Sequence, residues 1–324
     1  MKQVRSGLFA AVLAGSLLPT LALAQAFPSK PVRLVVPFAP GGTTDLLARI
    51  IGERMGAALG QTVVVENKAG AGGAIGAADV AKAPADGHVL LMSSVSTMAT
   101  NPAINPQTPY DPVKDFVHII NVAATPNVIA VHPSFPAKDY KAFAEALQKN
   151  PGKFSYGSAG NGSVGHLLAE LYKSTAKVFV THIPYRGSGP ALNDVVAGQL
   201  PVIVDNLPSA LPFIKDKRLV AIVVAAPKRL AVLPDVPTFA EVGLAPVNRM
   251  SFLGVSAPKG TPREVVDKLH AAVKAALSDA TVRSRIEATG AVVVGGSTEE
   301  YQKQVSDELA LYKRVVLEQK LKLE

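Results

Sequence analysis

Short apolar runs rich in branched side chains alternate along this chain with longer stretches whose apolar positions recur every three or four residues. Val32-Arg33-Leu34-Val35-Val36, stopped by Pro37, reads as a buried strand. Thr43–Leu59 follows with Leu46, Leu47, Ile50 and Ile51 at helical spacing. The same alternation predicts strands over 62–65, 88–92, 128–131, 153–156, 178–182, 202–204 and 219–224. Helices are predicted over 74–83, 138–148, 164–174 and 191–197. Two amphipathic helices come last, over 262–277, with Pro262 in its opening turn, and over 299–317. Strand–helix alternation of this kind predicts an α/β protein with parallel sheets covered by helices on both faces.

Two places suggest how that material is divided. Ala123-Ala124-Thr125-Pro126 and Ala225-Ala226-Pro227 each end an apolar run in a proline, and the residues between them hold their own strand–helix alternation. A chain that leaves one domain, builds a second and returns crosses twice, making a two-strand hinge. Prolines also end strands in any fold, so spacing alone leaves both readings open.

The first residues carry a different signal. Lys2 and Arg5 precede an uncharged apolar stretch over 8–23, and Ala22-Leu23-Ala24 supplies small residues for cleavage. This predicts an export signal over residues 1–24, with Ala26 as an alternative cleavage point. A membrane anchor needs ~20 apolar residues, whereas this stretch is broken by Gly15, Ser16 and Pro19. No later segment is long and apolar enough to span a bilayer, so the exported chain is expected to be soluble.

Composition narrows the chemistry. The 324 residues include no cysteine, which excludes disulfides, thiolate metal sites, a cysteine nucleophile and a lipidated cysteine anchor. Tryptophan is absent and aromatics make up 6%, against a stacking platform for single-stranded nucleic acid. The net charge is +8, or +6 once Lys2 and Arg5 are removed, and it is scattered without a run of five like charges. No nucleic-acid partner is expected. A mild positive field does favour encounter with anions.

Candidate chemistry gathers in loops between strand and helix. In Phe38-Ala39-Pro40-Gly41-Gly42-Thr43-Thr44-Asp45 the glycines permit a sharp turn, and a threonine can cap the following helix. A helix N-terminus attracts an anion, worth ~0.3–1 kcal/mol when exposed and up to ~2 when partly buried. Tyr156-Gly157-Ser158-Ala159-Gly160-Asn161-Gly162-Ser163 repeats that context with small residues and hydroxyls. Pro184-Tyr185-Arg186-Gly187-Ser188-Gly189 and Asp205-Asn206 follow the next two strands. Ligands in open α/β sheets bind beyond the carboxyl ends of strands.

Several catalytic signatures fail. Ile75 occupies the third glycine position of a dinucleotide loop, no Gly-Lys-Ser/Thr triplet exists, and Asn161 stands where a nucleophile elbow around Ser163 needs glycine. His88, His118, His132, His166, His182 and His270 show no metal-ligand spacing. Ser163 with His166, one helical turn apart, is the best nucleophile–base pair, but no third orienting group is evident. No catalytic residue, metal or cofactor is expected, and the loops read as a binding site.

The segment Pro28-Ser29-Lys30-Pro31-Val32-Arg33-Leu34-Val35-Val36-Pro37-Phe38-Ala39-Pro40-Gly41-Gly42-Thr43-Thr44-Asp45 closely resembles the start of the Bug family of periplasmic solute-binding receptors. The likeness continues through Val65-Glu66-Asn67-Lys68-Ala69-Gly70-Ala71-Gly72-Gly73, the second and third loops, Asp205-Asn206-Leu207-Pro208-Ser209 and Leu233-Pro234-Asp235-Val236-Pro237-Thr238. The resemblance implies a type II periplasmic binding protein fold, with two lobes of mixed, mostly parallel sheets joined by a two-strand hinge. Lobe 1 would combine residues 25–125 and 226–324, and lobe 2 would hold 126–225. It implies a small carboxylate held between the lobes by the first glycine loop and completed by lobe 2. Phe38, Ala39, Gly41, Gly42, Thr43, Asp45 and Ser93 on one side, and Ser158, Gly160, Asn161, Ser163, His166, Tyr185 and Asp205 on the other, are the expected ligand-binding residues. Asp205 matches the family position that can meet an amino group or another polar edge of a ligand. Arg249, in a stretch where relatives are commonly aromatic, could pair with a second carboxylate.

The implied partners are the membrane subunits of a tripartite tricarboxylate transporter, with a periplasmic monomer as the receptor. The alternatives are a receptor serving a membrane sensor kinase and, further off, a periplasmic α/β hydrolase.

Overall fold

The computed structural model describes residues 27–322; the expected export signal lies outside them. The chain opens with β1 (Val32–Val36), α1 (Thr43–Leu59), β2 (Val63–Asn67), α2 (Ala74–Ala81) and β3 (Val89–Ser94). A π-helical turn over Ser96–Thr100 runs into the short α3 (Asn101–Ile104), and β4 (Phe116–Thr125) follows. Next come β5 (Asn127–Val131), α4 (Tyr140–Lys149), β6 (Ser155–Ser158), α5 (Val164–Ala176), β7 (Thr181–Pro184) and α6 (Ser188–Val196). The second unit ends with β8 (Val202–Asn206), α7 (Leu207–Lys215) and β9 (Val220–Ala225). The chain closes with β10 (Ser251–Pro258), α8 (Arg263–Ser278), α9 (Ala280–Glu287), β11 (Val292–Gly295) and α10 (Thr298–Glu318).

These strands form two sheets. One has six strands in the order β11-β4-β10-β3-β1-β2, and the other five in the order β7-β6-β8-β5-β9. Each sheet is sandwiched between apolar clusters, and the first strand shows why. Val32, Leu34 and Val36 pack into the cluster on one face, while Val35 joins the cluster on the other. A strand covered on both faces is apolar throughout, which is why β1 is so legible in the sequence.

The chain passes between sheets twice, and the passages are neighbours. β4 ends at Thr125 and β5 begins at Asn127, while β9 ends at Ala225 and β10 begins at Ser251. Thr125 pairs with Ser251 and Asn127 with Ala225. The Asn127 side chain joins them, donating to Arg249 O at 2.8 Å and accepting from Ser251 Oγ at 3.1 Å.

This path corrects the expectation of mostly parallel sheets. Four strand pairings are parallel and five antiparallel. A strand leaving one sheet at the cleft enters the other from the cleft, so β5 and β10 must run against the βαβ strands beside them. β4, β10 and β11 escape the sequence reading. Ser251, Gly254 and Ser256 interrupt the apolar signal of β10 although all eight of its residues are buried. The strand expected over 178–182 begins only at Thr181, after the left-handed Lys177 (φ 53°) and the half-exposed Phe179. Among the described residues, no helix is long and apolar enough to cross a membrane.

Candidate functional site

The carboxyl ends of β1, β3, β6, β7 and β8 all face the seam between the two sheets, and the loops that follow them lead into helices there. α1, α6 and α7 start at Gly42, Gly187 and Asn206 without a side-chain cap. α5 is capped by Ser163, which accepts from His166 N–H at 3.3 Å. α1 and α6 therefore offer backbone N–H groups that no side-chain cap satisfies, whereas at α7 the Leu207 N–H goes to Pro126 O and Pro208 has none.

Between them lies a cavity of about 20 Å³. This is room for about one or two waters, far below the ~300–1,000 Å³ of an ordinary ligand cleft. Phe38, Gly42, Thr43 and Thr44 wall it from the first loop, and Ser94, Val95 and Ser96 from the end of β3. Ala159, Val164, Gly165, Ser188, Val204, Asp205 and Asn206 face them from the other unit, and Ser251, Phe252 and Leu253 form the hinge side. Among these residues Asp205 alone is charged.

The two units touch directly around the cavity. Ala39 N–H donates to Arg186 O at 3.1 Å, Thr100 Oγ1 to Gly162 O at 2.7 Å, and Val164 N–H to Ser96 Oγ at 3.0 Å. Thr43 Oγ1 meets Ser209 Oγ at 2.8 Å. Backbones approach so closely that a side chain would not fit: a Cβ on Gly189 would lie 2.1 Å from Pro40 O, and one on Gly72 2.1 Å from Asn161 O.

The expected binding residues divide by what their side chains touch. Phe38, Gly42, Thr43 and Asp205 line the cavity; Ala39 and Gly41 sit beside it at the seam. Asp45 is turned into the protein. Its oxygens accept from Gly41 N–H (3.1 Å), Arg49 Nε (3.0 Å) and Asn67 Nδ2 (2.9 Å). Burial pushes this carboxyl up, but those donors outweigh it and hold the group below the usual carboxylate range. Asp45 thus shapes the first loop by holding Gly41, which has φ +86°.

Ser93 faces away from the cavity. Its hydroxyl donates to Gly254 O (3.0 Å) and meets Ser256 Oγ (2.7 Å) and Tyr301 OH (2.9 Å). Successive strand residues point to opposite faces, so Ser94 and Ser96 supply the wall that was expected of Ser93. Tyr185 also points elsewhere, donating to Asp194 at 2.5 Å; burial and that carboxylate push its phenol up to about 12.

Ser158, Gly160, Asn161, Ser163 and His166 form the framework of the second loop, whose cavity-facing members are Ala159, Val164 and Gly165. Gly160 N–H donates to Ser158 Oγ at 3.1 Å and Gly162 N–H to His166 Nδ1 at 3.1 Å. That bond uses the His166 nitrogen lone pair a base would need, so the structure lends no support to a Ser163–His166 nucleophile. Asp205 is buried, which pushes its carboxyl up, while Ser188 (2.5 Å) and Ser209 (2.6 Å) donate to its two oxygens.

Arg249 does not line the cavity; its charge acts on Glu308 and Tyr312 of α10. The second-carboxylate role gives way to that placement on the hinge segment. Sequence reasoning missed Thr44, Ser94, Ser96, Ser188, Ser251 and Phe252. The hydroxyl-rich run Ser93-Ser94-Val95-Ser96-Thr97 and the Gly187-Ser188-Gly189 turn were the available signals.

Two mixed α/β units joined by adjacent crossings, with helix starts facing a cavity at their seam, have the geometry of a periplasmic binding protein. Residues 47–321 match the model of the tripartite tricarboxylate transporter family receptor. A solved periplasmic transporter is 49% identical with a TM-score of 0.91, covering 92% of this chain and 100% of its own. The periplasmic binding protein BugD is 35% identical with a TM-score of 0.89, again over 92% of this chain and 100% of its own. MatC from Rhodopseudomonas palustris with bound malate is 36% identical with a TM-score of 0.87, over 90% of this chain and 100% of its own. The chain belongs to the family of tripartite tricarboxylate transporter receptors, in its Bug group.

Proposed function

We propose that this receptor captures a small carboxylate in the seam cavity by closing its two lobes, and presents the loaded form to the membrane subunits of a tripartite tricarboxylate-type transporter. One observation carries the reading: the uncapped starts of α1 and α6 converge on a seam cavity in which no lining residue is cationic. An anion there is held by backbone N–H groups, hydroxyls and helix dipoles. Micromolar capture needs ~8 kcal/mol. Several hydrogen bonds to a charged group, at ~1.5–3 kcal/mol each, supply that after ordering costs. The malate in MatC supports a carboxylate as the ligand class.

In this reading lobe 1 combines 25–125 and 226–324, of which 27–125 and 226–322 are described, and lobe 2 holds 126–225. Residues 1–24 direct export to the periplasm and are removed, and the receptor works as a monomer without cofactor or catalysis. The ligand-facing set is Phe38, Gly42, Thr43, Thr44, Ser94, Ser96, Ser188 and Asn206, with Asp45, Ser158, Ser163 and His166 holding the loops behind them.

A thermal-shift panel of mono-, di- and tricarboxylates, with malate included, tests the proposal. Ligand at 100 times Kd adds ~2.7 kcal/mol of stability, a rise of several degrees in Tm for a chain this long. Indifference to every acid, or stabilisation only by cations, would sink it.

A further inference from the structure

A chain of hydrogen bonds crosses the seam beside the cavity, and it begins from an incomplete helix. α7 receives no side-chain cap from Asn206. Leu207 N–H goes to Pro126 O at 2.8 Å, and Pro208 has no N–H to satisfy. The next N–H, that of Ser209, is met from the other lobe, donating to Thr43 Oγ1 at 3.2 Å. Thr43 is itself the first residue of α1. The opening residue of one lobe's helix thus caps a helix of the other.

The Ser209 hydroxyl extends the chain. It lies 2.8 Å from the same Thr43 oxygen and 2.6 Å from Asp205 Oδ2. The other Asp205 oxygen accepts from Ser188 Oγ at 2.5 Å. All four side chains are buried. An ionised carboxylate can only accept, and bonds to charged partners are the stronger ones. The Ser209 proton therefore goes to Asp205 in preference to Asn206 O at 3.1 Å. Ser209 Oγ is left to accept, so the Thr43 hydroxyl donates to it while a Thr43 lone pair takes Ser209 N–H.

We propose that Thr43, Ser209 and Asp205 form an interlobe latch that sets the balance between open and closed receptor, with Asp205 as the positioning residue that fixes its direction. The latch rests on the reading that the lobes open and close about the hinge. It assigns the Thr43 hydroxyl to the seam, leaving the backbone N–H groups at the start of α1 for an acid. Opening breaks the latch and uncaps α7.

The chain has no cysteine, so cysteines introduced at exposed Lys82 and Lys141, one in each lobe, accept spin labels without background. Pulsed electron–electron distances are compared for the labelled parent, Ser209→Ala, Thr43→Val, Thr43→Ser and Asp205→Asn, first without acid and then with malate. Ser209→Ala and Thr43→Val should each lower the closed-to-open ratio about tenfold, equivalent to about 1.4 kcal/mol. Thr43→Ser should restore it, because the hydroxyl is kept. Asp205→Asn should lower it too, since an amide presents a donor to one of the two serines. Parental distance distributions in Ser209→Ala and Thr43→Val would overturn the latch. Should Asp205→Asn fail to fold, those two seam variants decide the question. If malate and the other acids leave both Tm and distances unmoved, the receptor reading fails, while the acid-free comparison still tests the latch.

Discussion

The imidazole rings of His166 and His182 lie 4.2 Å apart and 9° from parallel, buried behind the second glycine loop. Each serves that loop: His182 Nε2 sits 2.6 Å from Ser158 Oγ, and His166 Nδ1 accepts from Gly162 N–H at 3.1 Å. Glu170 lies 3.9 Å from His166 Nε2 and 2.8 Å from Lys173 Nζ, and Tyr156 OH donates to Glu170 at 3.1 Å. Burial, with His166 and Lys173 nearby, pushes His182 down from 6.5 to about 3.

A buried histidine held neutral makes the fold sensitive to acid. The unfolded chain binds a proton at His182 near 6.5 and the folded chain only near 3, so its contribution to stability is full above 6.5 and falls as pH drops toward 3. By pH 5 about 1–2 kcal/mol should be gone. His118, pushed down to about 4 by burial, loses stability in the same direction. His182→Gln should therefore flatten only part of the slope in urea unfolding between pH 7.5 and 5. A slope identical to the parent's would remove His182 from the account.

Closure should be separable from folding at Gly189. It lies within α6 at a negative φ, where alanine gains ~0.5–1 kcal/mol over glycine. Across the seam, however, the new Cβ would stand 2.1 Å from Pro40 O. Gly189→Ala should keep or slightly raise Tm while abolishing the shift produced by any acid that binds the parent. Calorimetry showing parental affinity would mean that the lobes close less tightly in solution.

Ser93→Ala separates the core-facing serine of β3 from Ser96, the cavity-lining serine of the turn that follows. Ser93 joins Ser256, Tyr301 and, through Ser256, His118 Nδ1 at 2.8 Å. Its removal leaves buried polar groups short of a partner, at about 1–3 kcal/mol. Tm should fall with acid affinity little changed. Ser96→Ala should instead cost acid affinity, because Ser96 lines the cavity and accepts the Val164 N–H across the seam at 3.0 Å, as a paired titration of the two variants would show.

Asp45→Asn tests whether the first loop is held from behind. The amide keeps the shape but loses the charge that Arg49 Nη2 meets at 2.9 Å and that the Gly41 N–H finds at 3.1 Å. A loss of about 1–3 kcal/mol in chemical denaturation is expected, together with weaker acid binding. Unaltered binding would show that Gly41 keeps its place without the carboxylate.

What the sequence made legible follows the physics of each element. β1 and α1 were readable because a doubly covered strand and an amphipathic helix leave strong periodic traces. α7 was not, since Pro208 and Pro212 both fall inside it. Pro208 costs little in the first turn, where the N–H has no intrahelical partner. The Gly187-Ser188-Gly189 turn marked where the two units come closest, because backbone contact across the seam requires glycine at Gly189. The division between cavity-facing and supporting side chains was hidden. Ser93 and Ser94 are chemically alike, and only strand register tells which one turns inward.

The lobes meet around a space of only about 20 Å³. Nothing of metabolite size can slip past the walls while they are together, so departure must wait until the molecule parts as a whole. Acids of quite different grip should then share one upper bound on their release rate, set by how often the shell gapes and not by the chemistry inside it. In the proposed cycle, whatever membrane protein prises the halves apart would also set the pace of delivery.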